Sequence, residues 1–175
     1  MTDIPSGTCN VVLGSRITED SETYAAAASF SPHFADTLID SIDFKSTDHI
    51  LDIGCGNGIF TSRFAPQVGY VLEVDSSPSM IDAAKTRNYG STSTDFRAVN
   101  CRLPEDDQEI MNSNWDEVAS NAAFHWILRD PSTRISTLKA IFRSMKPGRV
   151  FFSEMCGHGN APEKFTAFKF GLVNQ

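Results

Sequence analysis

Long apolar runs are missing from this sequence, and so are clusters of basic residues and any pairing of cysteines. No stretch of about 18 apolar residues occurs, so no membrane-spanning helix is expected. The opening "MTDIPSGTCNVVLGSR" has no charged start followed by an apolar stretch, so no signal peptide is expected either, and the cytosol is the default compartment. Fifteen Lys and Arg stand against 22 Asp and Glu, for a net charge of −7. Without a basic run there is no electrostatic footprint for a phosphate backbone, so nucleic acid is not an expected partner. Cys9, Cys55, Cys101 and Cys156 form no C-x-x-C pair and have no His at zinc-ligand spacing. Four reduced thiols and no metal site follow.

What is present is alternation. At 175 residues and 41% apolar content, one core is expected, and so one domain. Short apolar runs at 49–53, 70–74, 96–99, 117–120 and 149–155 read as strands. Between them, 77–87 and 132–146 read as helices, the second with an apolar stripe of Ile135, Leu138, Ile141, Phe142 and Met145 stopped by Pro147-Gly148. Two further helices, 19–30 and 31–42, precede the first strand. Continuous apolar strands separated by helices predict an α/β fold, a doubly wound parallel sheet covered on both faces. Its parts are N-terminal helices over 1–45, a core over 46–160 and a tail over 161–175.

The segment "ILDIGCGNGIF" (50–60) places Gly54, Gly56 and Gly58 directly after the first strand. In an open parallel sheet the loop at that point must let the backbone approach a ligand closely. A carboxylate ending the second strand, about 20 residues on, is suited to accept ribose hydroxyls. Asp75 ends "YVLEVD", 19 residues after Gly56. The dinucleotide fingerprint G-x-G-x-x-G would need glycine at position 59, which is Ile59, and this argues against NAD or FAD.

These residues resemble the class I S-adenosylmethionine (SAM) dependent methyltransferases, whose first motif is an acidic residue followed by G-x-G-x-G. "LDIGCGNG" (51–58) matches it in full, and "VLEVDSSPSMIDAAK" (71–85) is similar to the second-strand segment. "WDEVASNAAFHWILRDP" (115–131) and "SMKPGRVFFSEMCGHGN" (144–160) are similar to the fourth and fifth strand segments of the trans-aconitate methyltransferase-like branch, which includes many fungal small-molecule enzymes. The resemblance covers about residues 20–160 and implies a Rossmann-like sheet of about five parallel strands, SAM as cofactor, and a small-molecule acceptor in secondary metabolism.

By that resemblance Asp52, Gly54, Cys55, Gly56 and Gly58 lie along the amino-acid part of SAM. Asp75 holds the ribose, Ser76 lies beside the adenine, and Asn121 is near the methionine moiety. Tyr24 on the first helix caps the cofactor or simply packs, and Trp126 shapes the substrate mouth. Methyl transfer from a sulfonium needs positioning and desolvation more than a dedicated acid or base. For a hydroxyl or amine acceptor, His125 and His158 are available as bases.

Three positions depart from the family pattern. Asn100 stands where an acidic residue usually accepts the adenine amino group, and accepts through an uncharged amide oxygen. Pro147-Gly148-Arg149 replaces Pro-Gly-Gly. The sequence reaches Gln175 before the family's usual sixth and seventh strands, which would leave the fifth strand as an open edge. A tail helix presenting Phe165, Phe168 and Leu172, or a second copy in a homodimer, is expected to cover it. A reading from another class is a cofactor-free isomerase or cyclase on the same scaffold, with Glu154 as a burial-raised acid supported by His125 and His158. A non-catalytic partner subunit is a third.

Overall fold

The computed structural model describes residues 36, 38–90, 92–102, 107–112, 114–156 and 165–171. Six strands form one sheet: β1 (His49–Ile53), β2 (Tyr70–Asp75), β3 (Ser93–Ala98), β4 (Trp115–Asn121), β5 (Met145–Cys156) and β6 (Phe165–Gly171). Their order is β3-β2-β1-β4-β5-β6. The first five are parallel, as the alternation predicts, and β6 runs antiparallel to β5. Order reverses between β1 and β4, so a crevice opens at their carboxyl ends. The described helices are α1 (Thr61–Phe64), α2 (Pro78–Ala84), α3 (Gln108–Asn112), α4 (Phe124–Ile127) and α5 (Pro131–Ser144), with a 3-10 turn at Ala65–Gln67.

The strand alternation divides the core in two. Leu51, Ile53, Leu72, Val74, Val118 and Phe151 face one side, where Ile110, Phe124, Ile127 and Ile141 cover them. Ile50, Val71, Ala119 and Phe152 face the other, under Phe60, Phe64, Leu38 and Ile39. Phe64 is fully buried and its ring stacks on Phe44 at 5.4 Å and meets Phe152 edge-on at 6.1 Å. Truncating such a ring to alanine costs about 3–5 kcal/mol. The α5 helix begins where Pro131 sits in the first turn and the Asp130 carboxylate accepts the Ser132 N–H at 2.9 Å.

The sequence reading departs from the structure at the end of α5 and in the tail. Pro147-Gly148 does not separate helix from strand, because the helix already ends at Ser144 and the strand starts at Met145. The register jumps from Trp115↔Met145 to Glu117↔Val150, so Lys146–Arg149 form an irregularity that Gly148 (φ +75°) accommodates. The jump brings Lys146 Nζ (2.8 Å) and Arg149 Nη2 (2.7 Å) onto the buried Asp116 carboxylate. Ile135 lies 59% exposed, outside the apolar stripe. The tail is not a helix over the β5 edge. It is β6, pairing from Val150↔Gly171 to Cys156↔Phe165, because a strand satisfies the backbone groups of that edge directly.

At the amino ends of β1 and β4, Glu117 is 5% exposed, with Arg149 at 3.8 Å. Burial, and next the charge of Asp48, push its carboxyl up to about 7, against the pull of Arg149. The folded chain therefore keeps a proton between pH 4.5 and about 7 that the unfolded chain has lost, so stability falls as pH rises through that window. Glu117→Gln is expected to raise the melting temperature by about 2–4 °C at pH 8 and not at pH 4. An equal shift at both pH values in thermal denaturation would contradict this.

Candidate functional site

The turn after β1 is fastened to the end of β2. The backbone N–H groups of Gly54 (2.8 Å) and Cys55 (3.1 Å) both donate to the Val74 carbonyl. The Gly56 N–H donates to Asp75 Oδ2 at 3.0 Å and the Ser77 N–H to Oδ1 at 2.8 Å. Both carboxylate oxygens of Asp75 are thus oriented, and each keeps lone-pair capacity for a further donor. Gly54 (φ +72°) and Gly58 (φ +74°) take left-handed conformations that L side chains rarely adopt. Space forbids a side chain as well, since a β-carbon at Gly54 would overlap that of Ala123, and one at Gly58 the Tyr89 hydroxyl.

Beneath this turn lie two fully buried carboxyls, Asp52 and Glu73, register neighbours on β1 and β2. The Thr61 hydroxyl donates to Asp52 Oδ2, and Asp52 Oδ1 has no hydrogen bond among the described residues. The Tyr89 hydroxyl, close to Glu73, gives its proton to the Ala84 carbonyl at 2.9 Å, so neither Glu73 oxygen receives one from it. Burial, reinforced by Glu73, holds the Asp52 carboxyl well above the usual carboxylate range. Burial also raises Glu73, against the nearby charge of Arg87. The Cys55 thiol is likewise pushed well up and Cys101 up to about 12, chiefly by burial, so neither thiol is a nucleophile at neutral pH.

A cavity of about 230 Å³ opens at the carboxyl ends of β2 and β3, lined by Ser76, Asn100, Cys101, Arg102, Trp126 and Ile127. Asn100 Oδ1 already accepts the Arg102 N–H at 3.2 Å, so its oxygen serves the turn before any ligand. Trp126 is 37% exposed, with the Arg129 guanidinium 5.9 Å from its ring centroid. The His125 ring lies 5.0 Å from that of Trp126. Its Nδ1 is buried without a partner among the described residues, and burial lowers its pKa, which leaves the imidazole neutral at pH 7. Asn121 Oδ1 is unpartnered in the same sense, and Asn121 stands in register with the buried Glu154 of β5. Ala122, at φ +54°, donates its N–H to the Glu154 carbonyl at 2.8 Å.

Asp52, Gly54, Cys55, Gly56, Gly58 and Asp75 thus meet at the turn, while Ser76, Asn100 and Trp126 meet at the cavity. Asn121 and Glu154 stand in register on β4 and β5, His125 lies on α4 beside Trp126, and none of the three lines the cavity. Tyr24 and His158 lie outside the described residues. Sequence reasoning gave no role to Glu73, Arg102 or Ile127. For Glu73 a signal existed, an acid in the middle of an apolar strand.

The strand order and the glycine turn clasped by Asp75 define the class I methyltransferase, Rossmann-like fold. Residues 50–148 match the methyltransferase domain family, and the chain belongs to it. It is 33% identical over 140 residues to an uncharacterized methyltransferase of Schizosaccharomyces pombe, covering 80% of this chain and 52% of the relative. It is 34% identical over 92 residues to the trans-aconitate 2-methyltransferase of Mycobacterium tuberculosis, covering 51% of this chain and 31% of that one. Among solved structures it is similar to a phosphoethanolamine N-methyltransferase of Haemonchus contortus in complex with phosphoethanolamine and S-adenosylhomocysteine. That match has a TM-score of 0.67 and 16% identity, over 82% of this chain and 30% of that one. The chain spans about half the length of the first curated relatives it matches.

Gly54→Ala is expected to cost about 2–4 kcal/mol, combining left-handed strain with overlap on Ala123. Chemical denaturation checks it, and a change below about 1 kcal/mol would contradict the geometry.

Proposed function

We propose that this chain binds S-adenosylmethionine across the glycine turn and the cavity and methylates a small molecule in cytosolic secondary metabolism. The observation that carries the reading is the Asp75 carboxylate, oriented by the Gly56 and Ser77 N–H groups between the turn and the cavity. The donor set fits the cofactor. Asp75 would accept from ribose hydroxyls, Ser76 and Asn100 would flank the base, and the turn backbone from Gly54 to Gly58 would hold the amino-acid end. The unpartnered oxygen of Asp52 and those of Glu73 suit a cationic ligand, which would draw these carboxyls toward ionisation. When bound, the cofactor supplies an electrophilic methyl group on a sulfonium.

The protein's own work is then to orient, exclude water and manage one proton. For a hydroxyl or amine acceptor, neutral His125 takes the proton that the new bond to carbon displaces. The names of the trans-aconitate and phosphoethanolamine enzymes support a small acceptor. Acid-catalysed rearrangement through Glu154 is the second reading; neither Glu154 nor His125 lines the cavity described, and the family match favours methyl transfer. Because β6 covers the β5 edge, the homodimer contact would lie along the outer edge of β6 among the described strands.

Calorimetric titration of S-adenosylhomocysteine is expected to give micromolar affinity, lost in Asp75→Ala. Asp75→Asn keeps one acceptor oxygen and should weaken binding about tenfold. No binding by the parent chain at millimolar ligand would overturn the cofactor reading. His125→Gln should leave this affinity unchanged and slow transfer to a protic acceptor about 100-fold; an unaltered rate removes the base role. Light scattering at micromolar concentration should return twice the 19.2 kDa chain mass, and a monomer mass ends the dimer proposal.

A further inference from the structure

The cavity has two walls from opposite halves of the sheet. Ser76 and Asn100–Arg102 follow β2 and β3, whereas Trp126 and Ile127 belong to α4, which follows β4. The strand order reverses between these halves, so no sheet hydrogen bond joins β2 or β3 to β4 directly. Among the described residues, one hydrogen bond crosses from wall to wall, Arg102 Nη2 donating to the Trp126 carbonyl at 3.2 Å.

The two ends of that bond are anchored separately, α4 by the buried Phe124 and Ile127 and Arg102 through its backbone. Arg102 is fixed at its base, where its N–H donates to Asn100 Oδ1 at 3.2 Å and its carbonyl accepts the Thr137 hydroxyl at 2.5 Å. The α4 turn is four residues long and is entered through Ala122 in a left-handed conformation. It carries both Trp126 and His125. Neither Asn100 nor Ser76 has a bond to this turn among the described residues.

We propose that Arg102 is a positioning residue whose side chain straps α4 to the loop after β3, setting the width of the cavity for a planar, purine-sized group and, through Trp126, the position of His125. This rests on the cofactor reading above. Arginine suits the task because its planar fork reaches a carbonyl while leaving further donors over the opening, which a lysine ammonium does only in part.

The chain has two tryptophans, Trp115 at 1% exposure and Trp126 at 37%, so acrylamide quenching of fluorescence reads the α4 wall selectively. In Arg102→Ala the quenchable fraction should become more accessible without ligand. The dissociation constant for S-adenosylhomocysteine should rise about tenfold, the effect of losing a hydrogen bond to a charged group. The melting temperature should stay within about 2 °C. Arg102→Lys should recover most of both effects. Parent-like quenching in Arg102→Ala overturns the proposal. So does altered quenching with unaltered affinity, and so does a loss of affinity that follows a loss of melting temperature and that lysine does not restore. Should the parent chain fail to bind S-adenosylhomocysteine, the cofactor reading falls, while quenching of the ligand-free variants still decides whether Arg102 holds α4.

Discussion

The site depends on the tie between the end of β2 and the turn after β1. Val74 offers one carbonyl to two successive N–H groups, and Asp75 offers one oxygen to Gly56 and the other to Ser77. A turn with three left-handed glycines has little conformational preference of its own, so its shape must be imposed from outside. The end of β2 imposes it. Because Ser76, the next residue, lines the cavity, the geometry of the loop and that of the cavity wall are set from one strand end.

The two ends of the sheet treat charge in opposite ways. At the amino ends, buried Asp116 is matched by Lys146 and Arg149, and their pull, with the His49 N–H, keeps its carboxyl below the usual range despite burial. At the carboxyl ends, Asp52 and Glu73 are buried side by side, Asp52 held by the Thr61 hydroxyl and Glu73 drawn by the charge of Arg87. Burying paired charges is tolerable, and burying unpaired carboxyls is costly unless they stay protonated. The first arrangement secures the fold, and the second holds two carboxyls toward their protonated form beneath the glycine turn.

How much of this was legible in the sequence depended on whether the signal was local. The five parallel strands, Gly54, Gly56, Gly58 and Asp75 could be read because strand period, turn chemistry and fixed spacing all act over short distances. Ser76, Asn100 and Trp126 were brought to the cavity mainly by family resemblance. Arg102 carried no signal, because its role arises only when the loop after β3 meets α4 in space. The tail was misread for a related reason. "FTAFKFG" satisfies a helical apolar face and a strand period alike, and the open edge of β5, a tertiary feature, decided between them.

The connection lengths within the sheet are uneven. Ile50 pairs with Val71 on one side, about twenty residues along the chain, but with Glu117 on the other, more than three times as far. Closing the longer loop costs about 1 kcal/mol more in chain entropy. The β1–β4 seam is therefore the sheet pairing with the largest sequence separation among the described strands, and it is also the seam at which the crevice opens. A ligand bridging the turn after β1 and the α4 turn would staple that seam shut and stabilise the joining of the two half-sheets.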